Sequence, residues 1–129
     1  MKPFMSAFNS RAYALLRIVT GFLFLWHGVQ KLFGFPEPMP PGVPMFIIYG
    51  AGPIELIGGL LVMLGLFTRG AGFIASGQMA AAYWIAHGTN GLLPLQNKGE
   101  LAVLYCFVFL FISTQGGGIW SIDSLIKRK

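Results

Sequence analysis

The chain has 129 residues, enough for one domain, and it is far more apolar than a water-soluble protein of that size. Charged residues make up 10% of it, against roughly 25% in a soluble domain, and its mean hydropathy is +0.69. The net charge of +5 does not indicate nucleic-acid binding, because the basic residues are scattered and cluster only at Lys127–Lys129. A basic tail beside a membrane span is typical of an orientation signal or of contact with anionic membrane lipid.

Four apolar segments follow one another, each near the length of about 20 residues that a helix needs to cross a bilayer. They lie at about 12–33, 45–67, 71–87 and 99–114, and proline- or glycine-rich stretches separate them. The first contains Arg17, His27 and Lys31 and lacks a convincing cleavage site, so we interpret it as a retained span and not a signal peptide. We therefore predict a single all-α domain over 1–129, an integral membrane four-helix bundle.

Lysine and arginine residues are unevenly divided between the two sides that four spans define. Six lie on the side of the amino terminus, the second loop and the tail, whereas the opposite side has two, Lys31 and Lys98. Because basic loops stay in the cytoplasm, we expect both termini there and a multi-pass location in the inner membrane. The six are Lys2, Arg11, Arg69, Lys127, Arg128 and Lys129.

With this topology, polar side chains from all four spans collect toward the outer side. Glu55 is about ten residues into the second span, roughly 15 Å deep at 1.5 Å per residue. An ionisable residue inside a span is a functional candidate by default. The other candidates lie near the outer ends of their spans: His27, Lys31, His87, Asn97 and Glu100.

Helical periodicity predicts one polar face on each span, and a charge facing lipid costs about 2.5–3.5 kcal/mol at a helix centre, so we expect these faces to turn inward. Gly52 and Gly59 on the second span would let a neighbouring helix approach closely. The predicted inward stripes include Arg17, Thr20, Phe24, His27 and Lys31 on the first span, Glu55 and Val62 on the second, Ala80, Tyr83 and His87 on the third, and Glu100, Leu104, Phe107 and Phe111 on the fourth.

Structural roles remain open for several of these residues. Glu55 could form an ion pair with Arg17 or Lys31, and Lys31 could instead extend to the interface. His87 and Glu100 are close enough to the boundary to act as helix caps. We predict no metal site, because the histidines and carboxylates show no tight ligand spacing and a lysine beside them disfavours a cation.

Several motifs occur in a definite order along nearly the whole chain. Residues 17–34 read R-x-x-x-G-x-x-F-L-W-H-G-x-Q-K-L-F-G, and ELIGG at 55–59 leads to LGLFTR at 64–69. Gln78-Met79, His87-Gly88, Asn97–Glu100 and Ser121–Asp123 follow. Together they resemble the DoxX family of small four-helix membrane proteins, which implies that fold. The family's polar motif falls on His27, Lys31, Glu55, His87, Asn97 and Glu100.

The resemblance also implies association with quinol oxidase and thiosulfate:quinone oxidoreductase systems, while a distant branch acts in receptor assembly. One hypothesis is therefore a redox-associated subunit whose pocket, near the periplasmic side, holds a quinone-like or small acidic ligand. Glu55 and His27 would be catalytic, with Glu55 moving a proton, and Lys31, His87, Asn97 and Glu100 would bind the ligand.

Cys106 is the single cysteine and no dinucleotide motif occurs, so no intrinsic cofactor is predicted beyond a quinone. Electrons would then come from a partner oxidoreductase, and whether the chain is itself an enzyme stays open. The alternative hypothesis is a non-enzymatic membrane scaffold or assembly factor whose polar residues only fix helix register. The glycine-rich second span favours a homo-oligomer in either case.

Overall fold

A computed structural model of the chain describes residues 3–127, and every regular element in that range is helical. This confirms the all-α prediction for those residues, while Lys2, Arg128 and Lys129 lie outside them. A 3-10 turn at Phe4–Phe8 leads into the first helix, and π-helical turns at Ile47–Ala51 and Tyr83–His87 adjoin the second and third. The helices are α1 (Asn9–Phe33), α2 (Gly52–Leu64), α3 (Thr68–Ala82), α4 (Pro94–Asn97), α5 (Glu100–Gln115) and α6 (Ile122–Ile126).

Two helical stretches within residues 3–127 are long and apolar enough to cross a membrane. They are Phe4–Phe33, with 30 residues, and Ile47–Leu64, with 18 residues, and they correspond to the first two predicted spans. The third predicted span overlaps α3 and its π turn, and the fourth overlaps α5, which is apolar but shorter. Gly34 and Gly65 end α1 and α2 in the left-handed conformation, which glycine adopts without a steric penalty.

The α1–α2 interface is built on glycines that let the two backbones touch. A Cβ placed on Gly21 would lie 2.5 Å from the Met63 backbone nitrogen, and one on Gly59 would lie 2.7 Å from the Leu25 nitrogen. Gly52 faces the side chain of Leu32 at 3.0 Å. Gly52 and Gly59 therefore allow the close helix approach that the sequence predicted.

An aromatic cluster joins α1 to α5 at the centre of the molecule. The ring of Phe24, fully buried, lies 4.6 Å from that of Phe109 and 5.3 Å from that of Tyr105, measured between centroids. α3 packs along α5 and also contacts α2, so α1, α2, α3 and α5 form one packed group. The other buried apolar residues are Ala14, Val62, Ala71, Ala75, Met79, Ala102 and Ile112.

The inward face predicted for the fourth span is wrong. Glu100, Leu104, Phe107 and Phe111 are all exposed, and the buried residues of α5 lie on another face. α5 is apolar on almost every side, so the position of Glu100 alone determined which face was predicted to turn inward. Because Glu100 occupies the first turn, it can face outward at the helix end while the aromatic cluster determines which side packs.

A buried arginine ties the end of the chain to the helices. The guanidinium of Arg17, fully buried, donates to the carbonyl oxygens of Val62 at 3.1 Å and Trp120 at 2.7 Å, and also to those of Gly117 and Ile119. Backbone carbonyl oxygens therefore accept the hydrogen bonds of the Arg17 guanidinium. The ion-pair partner of Glu55 is a different residue. These bonds hold the chain after α5 against the start of α1 and the end of α2.

Candidate functional site

An ion pair links the last turn of α1 to the first turn of α2. The Lys31 Nζ lies 2.8 Å from Glu55 Oε2 and 3.1 Å from Oε1. Glu55 is 2% exposed and the Lys31 side chain 13%, so water screens this pair weakly. Of the two partners left open for Glu55, the structure therefore selects Lys31.

Gln78 adds a third helix to this pair. Its Nε2 donates to Glu55 Oε1 at 3.2 Å, and since a carboxylate only accepts, the amide nitrogen must face Glu55. The Gln78 Oε1 is the one buried side-chain polar atom within residues 3–127 that has no hydrogen-bond partner. The site residues predicted from the sequence do not include Gln78, although Gln78-Met79 is one of the motifs by which the chain resembles the DoxX family.

A cavity of about 780 Å³ lies beside this group. This volume is within the range of about 300–1,000 Å³ that small-molecule sites occupy. Residues of α1, α2, α3, α5, both π turns and the proline-rich segment 39–44 form its walls, which are mostly apolar. Its polar or charged lining residues are His27, Lys31, Glu55, Gln78, His87, Lys98 and Tyr105.

Tyr105 is a lining residue that sequence reasoning missed. Its ring is 7% exposed and meets the His27 ring edge-on, with centroids 5.9 Å apart and planes at 87°. A stripe of Ala102, Tyr105, Phe109 and Ile112 has the same three- and four-residue spacing as the stripe chosen from Glu100. Only the polar hydroxyl of Tyr105 could have favoured this stripe over the one that begins at Glu100.

A contact joins His87 and Asn97 in the connection between α3 and α5. The His87 Nδ1 lies 3.1 Å from the Asn97 carbonyl oxygen. The Asn97 amide donates to the Tyr83 hydroxyl at 2.9 Å and to the Gly91 carbonyl at 3.2 Å, and its Oδ1 accepts from the Gly99 nitrogen at 2.9 Å. Asn97 thus organises the loop before α5, while His87 reaches the cavity wall.

The structure brings four of the six predicted site residues to one cavity. His27, Lys31, Glu55 and His87 line it, whereas Asn97 lies behind the wall and Glu100 is exposed in the first turn of α5. A carboxylate in a first turn interacts favourably with the helix dipole, which explains Glu100 without a ligand. Within residues 3–127, no three histidine, cysteine or carboxylate side chains are grouped closely enough to hold a metal ion.

Comparison with known proteins identifies a family. The family model named DoxX matches residues 12–88, which include most of α1 and all of α2, α3 and the two π turns. The matched part contains His27, Lys31, Glu55, Gln78 and His87. No solved structure matches the chain significantly.

Three bacterial relatives match over most of their length. A Haemophilus influenzae protein named only as uncharacterised is 41% identical over 124 residues, covering 90% of this chain and 91% of its own. A Bacillus subtilis protein named "Putative oxidoreductase CatD" is 42% identical, with 88% and 86% covered. The Escherichia coli protein named "Inner membrane protein YqjF" is 28% identical, with 88% and 90% covered.

Proposed function

The chain belongs to the DoxX family, and from this premise we propose that it is a redox-associated subunit of the inner membrane whose cavity binds a quinone-like ligand. The observation that carries the proposal is the convergence of His27, Tyr105 and the Lys31–Glu55 pair on one apolar cavity. The printed names of two relatives, "Putative oxidoreductase CatD" and "Inner membrane protein YqjF", support it.

The proposed topology has four spans with both termini in the cytoplasm. Arg11, Arg69 and Lys127 lie at the end of the molecule where Arg17 holds the tail, whereas Lys31 and Lys98 line the cavity at the other end. The positive-inside rule then favours a cytoplasmic tail and a cavity near the periplasmic side. The spans would be α1, 47–64, α3 with its π turn, and α5.

The cavity fits the chemistry of a quinone. Its apolar walls suit a ring, and the imidazole of His27 and the hydroxyl of Tyr105 can donate hydrogen bonds to ring oxygens. When bound, a quinone would supply two-electron, two-proton redox chemistry, and we propose that electrons pass to or from a partner oxidoreductase. Glu55 would hold a proton at its carboxylate, with Lys31 compensating its charge when ionised.

The chain offers a matched pair of carboxylates for the test. Glu55→Gln removes the carboxylate that lines the cavity, while Glu100→Gln removes one that is exposed and outside the lining. Calorimetric titration with a soluble benzoquinone should show measurable binding by the wild type and by Glu100→Gln. Titration with the corresponding hydroquinone should show binding by Glu55→Gln that is about tenfold weaker than that of the wild type, since a hydroquinone hydroxyl can donate a hydrogen bond to the ionised carboxylate, a contact that contributes about 1.5–3 kcal/mol. Absence of binding by the detergent-extracted wild type, with no co-purified quinone, would refute the proposal.

The Lys31–Glu55–Gln78 group also supports a second candidate function, a non-enzymatic scaffold or assembly factor. Hydrogen bonds from α1 and α3 converge on one carboxylate of α2, which is an arrangement that fixes helix register. For a scaffold, Glu55→Leu would lower thermal stability and partner association, and no quinone would bind to any variant. Partner capture and ligand titration therefore separate the two functions.

A further inference from the structure

The cavity has a buried inner end and an exposed mouth. Its inner end is formed by lining residues that are at most 9% exposed: Phe24, Glu55, Met79, Ala102 and Tyr105. Its mouth includes Phe46, 64% exposed, and Gly50 on one side, with Ala81 and Ile85, 57% exposed, on the other. The polar group of Glu55 therefore lies at the inner end, and the mouth is apolar at these positions.

The mouth lies between the two helical stretches that carry α2 and α3. A short turn near Gly65 joins these helices, and the lining residues occupy their far ends, at 46–55 and 78–87. Each far end contains a π-helical turn, Ile47–Ala51 or Tyr83–His87, and such turns recur at functional sites. The two helices thus leave a gap at the end remote from their turn.

The rim of this gap is apolar at 46–54 and 81–86, whereas His87 and Lys98, which also line the cavity, lie beside Asn97 just before α5. The apolar rim residues are Phe46, Ile47, Gly50, Ala51 and Ile54 on the α2 side, and Ala81, Ala82, Ile85 and Ala86 on the α3 side. In a membrane protein such an apolar opening between helices adjoins hydrocarbon, where a water-soluble anion does not partition.

We propose that the ligand carries a polar ring and an apolar tail, and that the tail leaves the cavity between α2 and α3 into the bilayer. This inference rests on the proposed function, and it selects a membrane-borne quinone-like ligand over a small acidic one. The ring would occupy the inner end near His27 and Glu55, and the tail would pass Gly50 and Ala81.

Gly50 allows the gap to be narrowed without disturbing the fold. A Cβ on Gly50 would meet no heavy atom within 4 Å outside its own helix, and the same holds for Gly77. Gly77 is exposed on α3 and does not line the cavity, so Gly77→Leu is the matched control. Ala81→Leu places the same bulk on the facing rim. All variants would be compared in lipid nanodiscs after their thermal stability and dispersity have been checked.

The measurement is the affinity of each variant for decyl-tailed benzoquinone and for the same benzoquinone without the tail. We expect Gly50→Leu and Ala81→Leu to weaken binding of the tailed compound about tenfold, since overpacking an occupied site is unfavourable, and to leave the tailless compound unchanged. Gly77→Leu should change neither affinity.

The possible outcomes distinguish a failure of the tail path from a failure of the proposed function. If both rim variants bind the tailed and tailless compounds as the wild type does, or weaken both equally, the tail path is refuted and the proposed function survives. If the wild type binds neither compound, the proposed function itself fails.

Discussion

The ammonium of Lys31 lies 2.8 Å from the Glu55 carboxylate, although the backbone of Lys31 is level with Gly52 and not with Glu55. A Cβ on Gly52 would be 3.4 Å from the Lys31 Cβ, so Lys31 stands beside Gly52, one turn from Glu55. One turn is about 5.4 Å along the axis, a distance that the four-carbon lysine side chain can cover. The glycine contacts between α1 and α2 fix that offset and therefore make the pair possible.

We expect Lys31→Met to destabilise the protein more than removal of both charges. The single change leaves the Glu55 carboxylate buried without its counter-ion, which costs about 3–5 kcal/mol, whereas the double variant Lys31→Met, Glu55→Gln leaves no charge to compensate. Denaturation in mixed detergent micelles would measure the free energies of unfolding of the wild type, both single variants and the double variant.

Lys98 provides the control for this cycle, because it is an exposed lysine at the same end of the molecule. Lys98→Met should change the unfolding free energy by less than about 0.5 kcal/mol. Additive effects of the Lys31 and Glu55 changes would contradict an energetically coupled pair.

A second prediction concerns the backbone contact between α1 and α2. Gly21→Ala should destabilise the protein by about 1–3 kcal/mol, because the added methyl group would lie 2.5 Å from the Met63 nitrogen and 2.6 Å from the Gly59 oxygen. Gly58→Ala, on the same helix pair but with no atom within 4 Å of the new Cβ outside its own helix, should be neutral or stabilising by up to about 1 kcal/mol. Equal thermal shifts for the two variants would show that the close contact is not a source of stability.

The inward faces of the first two spans could be predicted because each carries a polar residue far from its ends. Arg17 on α1 and Glu55, midway along the helical stretch Ile47–Leu64 that includes α2, are both buried, and a charge in the middle of an apolar stretch leaves little choice of inward face. On α5 the one charged residue, Glu100, is at the end of the helix and can turn outward. Packing of Tyr105 and Phe109 on Phe24 decided that phase, and no periodicity in the sequence reports such a contact.

Only part of the cavity lining could be predicted from the sequence. The grouping of His27, Lys31, Glu55 and His87 at one end of the helices followed from counting residues along each span. The separation of Asn97 from the cavity did not, because it depends on loop hydrogen bonds such as that to the Gly91 carbonyl, whose geometry is set by turns and not by helical period.

The last prediction concerns Asp123, which lies outside the proposed spans and anchors α6 to the start of α3. Its carboxylate accepts hydrogen bonds from the Phe67 nitrogen at 3.0 Å, the Thr68 nitrogen at 3.0 Å and the Thr68 hydroxyl at 2.7 Å. Burial by itself raises the pKa of Asp123, but these hydrogen bonds and the charge of Lys127 together hold it below its ordinary value. The unfolded chain therefore binds the proton more tightly than the folded protein does.

This difference fixes the sign of the pH dependence. The stabilisation from Asp123 is fully present above the unfolded pKa of about 4 and is lost as the pH falls through the lower folded value. Asp123→Asn should cost about 1–3 kcal/mol at neutral pH and should reduce the loss of stability below pH 4, because the amide accepts fewer bonds and does not titrate there. Thermal unfolding in detergent between pH 3 and 7 would measure both effects. The control is Glu37→Gln, which alters an exposed carboxyl of the proline-rich segment and should leave the dependence of thermal stability on pH as in the wild type. If Asp123→Asn loses as much stability below pH 4 as the wild type does, Asp123 is excluded as a source of the acid sensitivity.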